Sequence, residues 1–266
     1  MSARFSLIAS LVAVALGATS AAQAQYTIKL GGAYFDTNAT SRPLEGQLPA
    51  VNPATGQYLG NVNVTNGPSL EVQNRGTFVF SIERALTDRW SVEFLLGNPP
   101  KHDVKLRTGS PVLTATPTLA GGSALGQAQA IALTRQKLVN NDGVVVSTVR
   151  QWAPTLFANY KFLDESSSVR PFIGVGINVT RFKARTNAAG DKVYNDGKPY
   201  VKLSDSIGPA LQAGLIYKID EHWALQGAVA TAQVKNKLII ETNHSRQETS
   251  FRFNPTVYSA QLAYTF

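Results

Sequence analysis

The C-terminal segment Thr256–Phe266 alternates strictly between two kinds of residue. In an extended chain Tyr258, Leu262, Tyr264 and Phe266 point to one side, because successive side chains of a β-strand face opposite ways. A soluble protein rarely ends in an exposed apolar strand, since an open edge promotes aggregation. A membrane β-barrel pairs that edge and covers the apolar face with lipid. The pattern therefore predicts a strand in a membrane wall.

The N-terminal end has the features of an export signal. Arg4 is followed by the apolar run Leu7–Gly17 and by the small-x-small motif Ala22-Gln23-Ala24. The run is shorter than the ~20 residues that a spanning helix needs. We predict a signal peptide over residues 1–24, cleaved after Ala24, and a barrel over residues 25–266.

Eight alternating segments of the mature chain each approach the ~9 to 11 residues of a tilted membrane strand. Three connections are tight and the others are long, as expected for periplasmic turns and external loops. The predicted fold is all-β, an eight-stranded antiparallel transmembrane β-barrel with long extracellular loops and short periplasmic turns. The predicted strands are 26–36, 76–86, 90–97 with an extension to 106, 149–162, 169–183, 209–219, 222–236 and 253–266. The predicted long loops are about 37–74, 107–148, 184–207 and 237–252.

Aromatic residues cluster at the two ends of these strands, as they do at the two interfaces of a bilayer. Trp90 and Trp223 follow tight turns and indicate the periplasmic girdle. Tyr34, Trp152 and Tyr258 lie toward the long loops and indicate the outer girdle.

The apolar residues of each strand indicate its lipid-facing side, so the residues of the opposite parity should point into the barrel. These inward residues differ between the two ends of the barrel. Near the tight turns they are charged, and these groups must pair or meet water in a narrow interior. Nearer the long loops they are apolar. The predicted polar plug is Lys29, Glu83, Glu93, Lys161 and Lys218, and Asn159 and Gln226 are inward at the same level. The predicted apolar lumen is Val79, Leu95, Phe157, Phe182, Ala228, Ala230 and Val257.

Eight strands leave room for side chains or one small ligand, so an open aqueous pore is excluded. An apolar mouth above a charged plug suggests that a hydrophobic molecule enters from outside and leaves sideways. Pro99 and Pro100 mark a possible lateral exit, because proline cannot donate to the strand ladder. They could equally mark the point where the strand leaves the membrane.

Three stretches resemble the outer-membrane protein W family, which includes the alkane-uptake barrel of hydrocarbon-degrading bacteria. They are Leu95–Asp103, Trp152–Phe162 and Arg170–Thr180, and the terminal Phe266 fits as well. The resemblance implies an eight-stranded barrel with a hydrophobic channel that passes small apolar molecules laterally into the outer membrane. This chain departs from the family pattern in its long loops, one of which contains a possible helix over Ala124–Leu138. The loops leave the substrate open.

Other functions find less support in the sequence. His102 and His244 each adjoin a polar neighbour, but sequence neighbours on a strand point apart and make no catalytic triad. We therefore predict no enzyme, no metal site and no cofactor. A net charge of +8 without stacking aromatics indicates anionic lipid headgroups rather than nucleic acid as a partner.

Two functions remain open at this point. The first is passive uptake of small hydrophobic solutes. The second is a structural or adhesive barrel whose loops bind lipopolysaccharide, a host surface or phage. The expected partners are outer-membrane lipids, lipopolysaccharide and small hydrophobic solutes, in the outer membrane of a Gram-negative bacterium. The oligomeric state cannot be inferred from the sequence.

Overall fold

The computed structural model describes residues 25–266, so the signal peptide predicted over residues 1–24 lies outside the described residues. The described part contains eighteen strands, numbered β1 to β18 in chain order, and two α-helices, α1 and α2. No helix in this part of the chain is long and apolar enough to cross a membrane.

Eight antiparallel strands close into a barrel, which confirms the predicted fold class. Their order around the wall is β11, β7, β6, β1, β18, β15, β14 and β12, and β12 pairs with β11 to complete the ring. The barrel strands are β1 (Tyr26–Asp36), β6 (Arg75–Ala85), β7 (Trp90–Gly97), β11 (Thr155–Lys161), β12 (Val169–Thr186), β14 (Ser206–Lys218), β15 (Trp223–Ala232) and β18 (Thr256–Thr265).

The alternation seen in the sequence separates the two faces of this wall. On β12, Ile173, Val175 and Ile177 are each at least half exposed, whereas Phe172, which directly precedes Ile173 and has the opposite parity, is 2% exposed. Lipid covers the apolar side chains that are exposed on the outside of a membrane barrel.

The aromatic girdles lie at the predicted ends of the strands. Near the tight turns, the Trp223 and Tyr264 rings are 4.8 Å apart and the Tyr264 and Phe266 rings 4.9 Å apart. At the other end Tyr34, Trp152 and Tyr258 are each about half exposed. Their positions mark the two interfaces of the bilayer.

The long connections between the barrel strands are themselves structured. They contain short strands that form a β-structure outside the membrane, partly as an upward continuation of β12 and partly as a separate six-stranded sheet. The external strands are β2 (Ala39–Thr40), β3 (Glu45–Val51), β4 (Tyr58–Thr65), β5 (Ser69–Val72), β8 (Lys101–Arg107), β9 (Val112–Ala115), β10 (Val145–Trp152), β13 (Tyr200–Leu203), β16 (Val234–Glu241) and β17 (Arg246–Phe253).

Three of the predicted long strands are therefore divided at the level where the barrel meets this external domain. The strand predicted over 149–162 is β10 and β11, that over 90–106 is β7 and β8, and that over 222–236 runs from β15 into β16. Pro154 separates β10 from β11, and Pro99-Pro100 separate β7 from β8. Proline interrupts the ladder at these positions because it lacks the backbone N–H.

Two helices pack on the external domain: α1 (Ala124–Asn140) and α2 (Ala188–Tyr194). The helix predicted over Ala124–Leu138 is thus present and two residues longer. Leu138 is fully buried and Ile131 packs against the same core. This core brings together residues of both external sheets and both helices, so the external domain has an apolar interior of its own.

The closed ladder makes a testable prediction about detergent gels. Unboiled protein should migrate differently from boiled protein, because a closed barrel has no free edge at which unfolding can begin. Far-ultraviolet circular dichroism should be dominated by β-structure. A single band before and after boiling, together with a mainly helical spectrum, would contradict the barrel.

Candidate functional site: a charged plug beneath two apolar cavities

A network of buried charges closes the barrel toward the periplasmic turns. The Lys29 ammonium is paired with both Glu83 and Glu93, and its Nζ lies 3.0 Å from Glu93 Oε1. Lys161 Nζ lies 2.5 Å from Glu83 Oε1. Lys29, Glu83 and Glu93 are each at most 2% exposed. The register places Lys29, Glu83 and Glu93 on three adjacent strands, β1, β6 and β7, which brings their inward side chains together.

Glu93 is the centre of this network. Its Oε1 also accepts a hydrogen bond from Ser81 at 2.6 Å. Its Oε2 accepts from Asn159 Nδ2 at 2.9 Å and from Gln212 Nε2 at 3.0 Å. A buried carboxylate is tolerated when its lone pairs are satisfied in this way. We call Lys29, Ser81, Glu83, Glu93, Asn159, Lys161, Gln212 and Gln226 the plug.

Lys218, which the sequence also placed in the plug, lies outside this network. Its Nζ donates to the backbone carbonyl of Glu165 in a periplasmic turn. It lines a polar vestibule of about 160 Å³ below the plug, together with Lys161 and Arg170. A lysine at the end of a strand is long enough to reach the turn, and strand parity alone does not show which partner it takes.

An apolar cavity of about 60 Å³ lies in the barrel directly above the plug. Glu93 and Gln212 form part of its floor. Phe157 is 2% exposed and lies against Gly176, where a Cβ would come within 2.7 Å of the Phe157 ring. Among the residues predicted for the apolar lumen, those that line this lower cavity are Val79, Leu95, Phe157, Ala230 and Val257.

The other two predicted lumen residues occupy different places. Ala228 is buried opposite Gly214, two residues from Gln226 of the plug. Phe182 lies higher, in the wall of a second cavity inside the external domain.

This upper cavity has a volume of about 70 Å³ and an almost entirely apolar lining. Its walls come from the upper part of β12, from β5, β8, β10, β16 and β17, and from both helices. Representative lining residues are Leu44, Leu70, Val104, Leu138, Phe182 and Phe251. Gln151, which is 6% exposed, lines both cavities and therefore lies between them.

Three buried polar atoms on the upper wall lack a hydrogen-bond partner among the residues that the structure describes. They are His102 Nε2, Asn236 Oδ1 and Gln247 Nε2. Burial lowers the pKa of His102. Its Nδ1 contacts the Gln73 carbonyl at 2.9 Å, so the neutral ring carries its proton there and offers Nε2 as an acceptor. Unpaired polar atoms in an apolar cavity favour occupation by water or by the polar group of a solute.

The wall is interrupted beside the lower cavity. Between β7 and β11 the register ends at Leu95↔Thr155, and between β8 and β10 it resumes at Lys101↔Arg150. The gap is bridged by one hydrogen bond, from Gln151 N to Pro100 O at 3.1 Å. In an antiparallel ladder the residue at position 100 would also donate its backbone N–H to the Gln151 carbonyl oxygen. Proline has no backbone N–H, so this second hydrogen bond is missing.

The histidines make contacts that differ from a catalytic arrangement. His244 Nδ1 lies 2.8 Å from Asp196 Oδ1, and the His244 ring stacks on Tyr58 at 4.4 Å. Ser245 Oγ contacts Thr242 Oγ1 at 2.7 Å instead of the imidazole. The His–Asp pair, which sequence spacing did not reveal, thus joins three external segments.

Strand parity could have identified two plug residues that the prediction omitted. Ser81 shares the inward parity of Glu83, and Gln212 shares that of Gly214. Gln151 shares the inward parity of Phe157 on the predicted strand, but its position between two cavities depends on the external domain. No sequence signal indicated the upper cavity, whose lining comes from many separate segments.

Comparison with known proteins identifies the family. Residues 45–266 match the model of the OmpW family. Outer membrane protein W of Escherichia coli strain K12 is 28% identical over 229 residues, covering 86% of this chain and 85% of that protein. Outer membrane protein W of Salmonella typhi is 27% identical over 228 residues, covering 86% of this chain and 84% of that protein.

Solved structures show the same barrel. The crystal structure of OprG from Pseudomonas aeruginosa superposes with a TM-score of 0.66 at 19% identity, covering 91% of this chain and 96% of that one. The structure of AlkL in DMPC bilayers gives a TM-score of 0.50 at 19% identity, covering 94% of each chain. The chain therefore belongs to the OmpW family and is a β-barrel of the Gram-negative outer membrane.

Proposed function

We propose that this protein is a passive channel through which small hydrophobic molecules enter the outer membrane. The observation that carries the proposal is the vertical order of the interior: an apolar external cavity, an apolar barrel cavity and a sealed charged plug. An ion or a sugar would lose its hydration in the two cavities, whereas an apolar solute would gain from burial there.

The plug supports a route that does not continue into the periplasm. Its charges are paired and nearly inaccessible, so an apolar solute that reached Glu93 and Gln212 would have to break their hydrogen bonds in order to pass. Displacing bonded polar groups by an apolar molecule leaves them unsatisfied, which is unfavourable. The solute must therefore leave above the plug.

The interrupted wall at Pro99 and Pro100 is the proposed lateral exit. Leu95 and Ala153, on either side of the interruption, line the lower cavity. An apolar molecule in that cavity is thus next to a gap in the wall that one backbone hydrogen bond bridges, and the bilayer lies outside.

Restoring the missing donor should close this exit. In Pro100→Thr the new backbone N–H faces Gln151 O, so the barrel should become more stable, by about 0.5–1.5 kcal/mol for one hydrogen bond. Uptake of an apolar compound should become slower. Pro53→Thr, in the exposed β3–β4 turn, is the matched control and should change neither quantity. Unchanged uptake in a stabilised Pro100→Thr protein would argue against this exit.

Uptake by whole cells tests the function itself. Cells that lack and cells that express the protein should be compared for a small alkane and for a hydrophilic solute of similar size. We expect faster uptake of the alkane alone. If expression changes neither rate, the structural or adhesive function remains, with the external domain as its binding surface.

A further inference from the structure

Three cations lie side by side across the outer wall of the external domain. The strand register pairs Lys101 of β8 with Arg150 of β10, and Arg150 with Lys183 of β12. Directly paired residues of adjacent strands point to the same face, and all three side chains are exposed. We call Lys101, Arg150 and Lys183 the basic row.

This arrangement is unfavourable for the protein alone. The Cβ atoms of directly opposite residues are about 5 Å apart, and like charges at that separation destabilise a sheet. Within residues 25–266, none of the three cations takes part in an ion pair. The adjacent row on the same face is balanced, because it combines Asp103 and Arg185 with the neutral Thr148.

Trp152 indicates the depth of the basic row relative to the membrane. This residue follows Arg150 by two positions on β10, points to the same face and is 50% exposed. Two residues span about 7 Å of strand. Exposed tryptophan marks the interface between hydrocarbon and headgroups, so the basic row lies at headgroup level on the outer side.

A second pair of like charges occurs elsewhere on the external domain. Lys235 of β16 is paired with Arg252 of β17, and both are exposed. Lys235 directly follows Val234, the first residue of β16, and β15 ends at Ala232. Cations therefore follow the barrel rim on more than one side.

We infer that the basic row binds the phosphate groups of lipid A, the lipid anchor of lipopolysaccharide in the outer leaflet. The argument is charge complementarity at matching depth: a line of three uncompensated cations faces the layer in which these phosphates lie. Arginine can bind a phosphate with two parallel hydrogen bonds, while lysine contributes a point charge on either side. Bound phosphate would convert the repulsion within the row into attraction.

The test uses the mature protein refolded in an uncharged detergent, with the unfolding temperature read from the heat-induced gel shift. Wild type is compared with Lys101→Gln/Arg150→Gln/Lys183→Gln. The matched control is Arg42→Gln/Lys192→Gln/Lys198→Gln, which removes the same charge from exposed positions outside the row. Each protein is measured alone, with lipopolysaccharide, with the same lipid after enzymatic removal of its phosphates, and with inorganic phosphate.

Without lipid, the row variant should be at least as stable as wild type, because the repulsion is gone. Phosphorylated lipopolysaccharide should raise Tm of wild type and of the control by roughly 5 to 10 °C. The row variant should lose most of that rise. Dephosphorylated lipid and inorganic phosphate should act weakly on all three proteins.

Several results would overturn the inference. A row variant that is less stable than wild type without lipid would show a structural role for these cations. Equal responses of the row variant and the control would show that the row does not bind the lipid. A full response to inorganic phosphate alone would indicate a soluble anion site instead of a lipid A site.

Discussion

Replacing Glu93 by Ala should lower the free energy of unfolding of the barrel by about 3–5 kcal/mol, the usual effect of removing one partner from a buried ionic network. Glu93 accepts four hydrogen bonds, from Lys29, Ser81, Asn159 and Gln212. After its removal the Lys29 ammonium keeps Glu83, but that carboxylate must also neutralise Lys161. Two cations would then share one buried anion.

The same substitution should raise ion conductance in planar bilayers, because water that enters to solvate the unpaired donors would open a polar path through the plug. Denaturant unfolding in detergent gives the stability change. Glu71→Ala is the control, since Glu71 pairs with Arg107 at a partly exposed site and should contribute no more than about 1 kcal/mol. If Glu93→Ala changed neither stability nor conductance, these charges would be solvated and the plug would not exist.

Replacing Phe157 by Glu should abolish uptake of apolar compounds while the barrel remains closed. Phe157 lines the lower cavity just above the plug, and a carboxylate there would bring water into the space that an apolar solute must occupy. Glu93 lies directly opposite on β7 and repels the new carboxylate, so we expect the folded barrel to be less stable than wild type and to admit water between the two charges.

Phe157→Leu is the conservative control and should retain most of the uptake, because the cavity stays apolar. Val79→Thr offers a milder test, since it adds one hydroxyl to the same cavity with little change of volume and should reduce uptake without unfolding. Heat-induced gel mobility verifies folding in each case. Normal uptake by a folded Phe157→Glu protein would show that solutes do not pass through this cavity.

The barrel could be predicted because the pattern that indicates a membrane strand lies within the sequence of each strand. Lipid on one side and a narrow lumen on the other impose a two-residue period, so alternation alone places Lys29, Glu83 and Phe157 on the inward face. The same period shows that Ser81 is inward. The partners of each charge depend on the closed register, which joins β1 with β6 and β18 and is not evident from one strand.

The external domain could not be predicted for the opposite reason. Its strands are short and rich in turn-forming residues, and they are stabilised by contacts between distant segments. Phe182 illustrates the consequence: its parity correctly indicated an inward side chain, but the cavity that it lines is formed by β5, β8, β16 and both helices. The two prolines predict the break at Pro99 and Pro100, whereas its bridge to Gln151 depends on the fold of the external domain.

Photolabelling can locate the path of an apolar solute through the protein. A small diazirine-bearing hydrocarbon would be added from the outside to the protein in bilayers, activated by light and located by mass spectrometry of the peptides. We expect labels on inward residues above the plug, such as Phe182 and Phe157, and at Pro100 in the wall. Labels on the inward residues of the periplasmic vestibule, such as Thr27 and Ala224, would show that the solute passes through the plug and would rule out the lateral exit as its route.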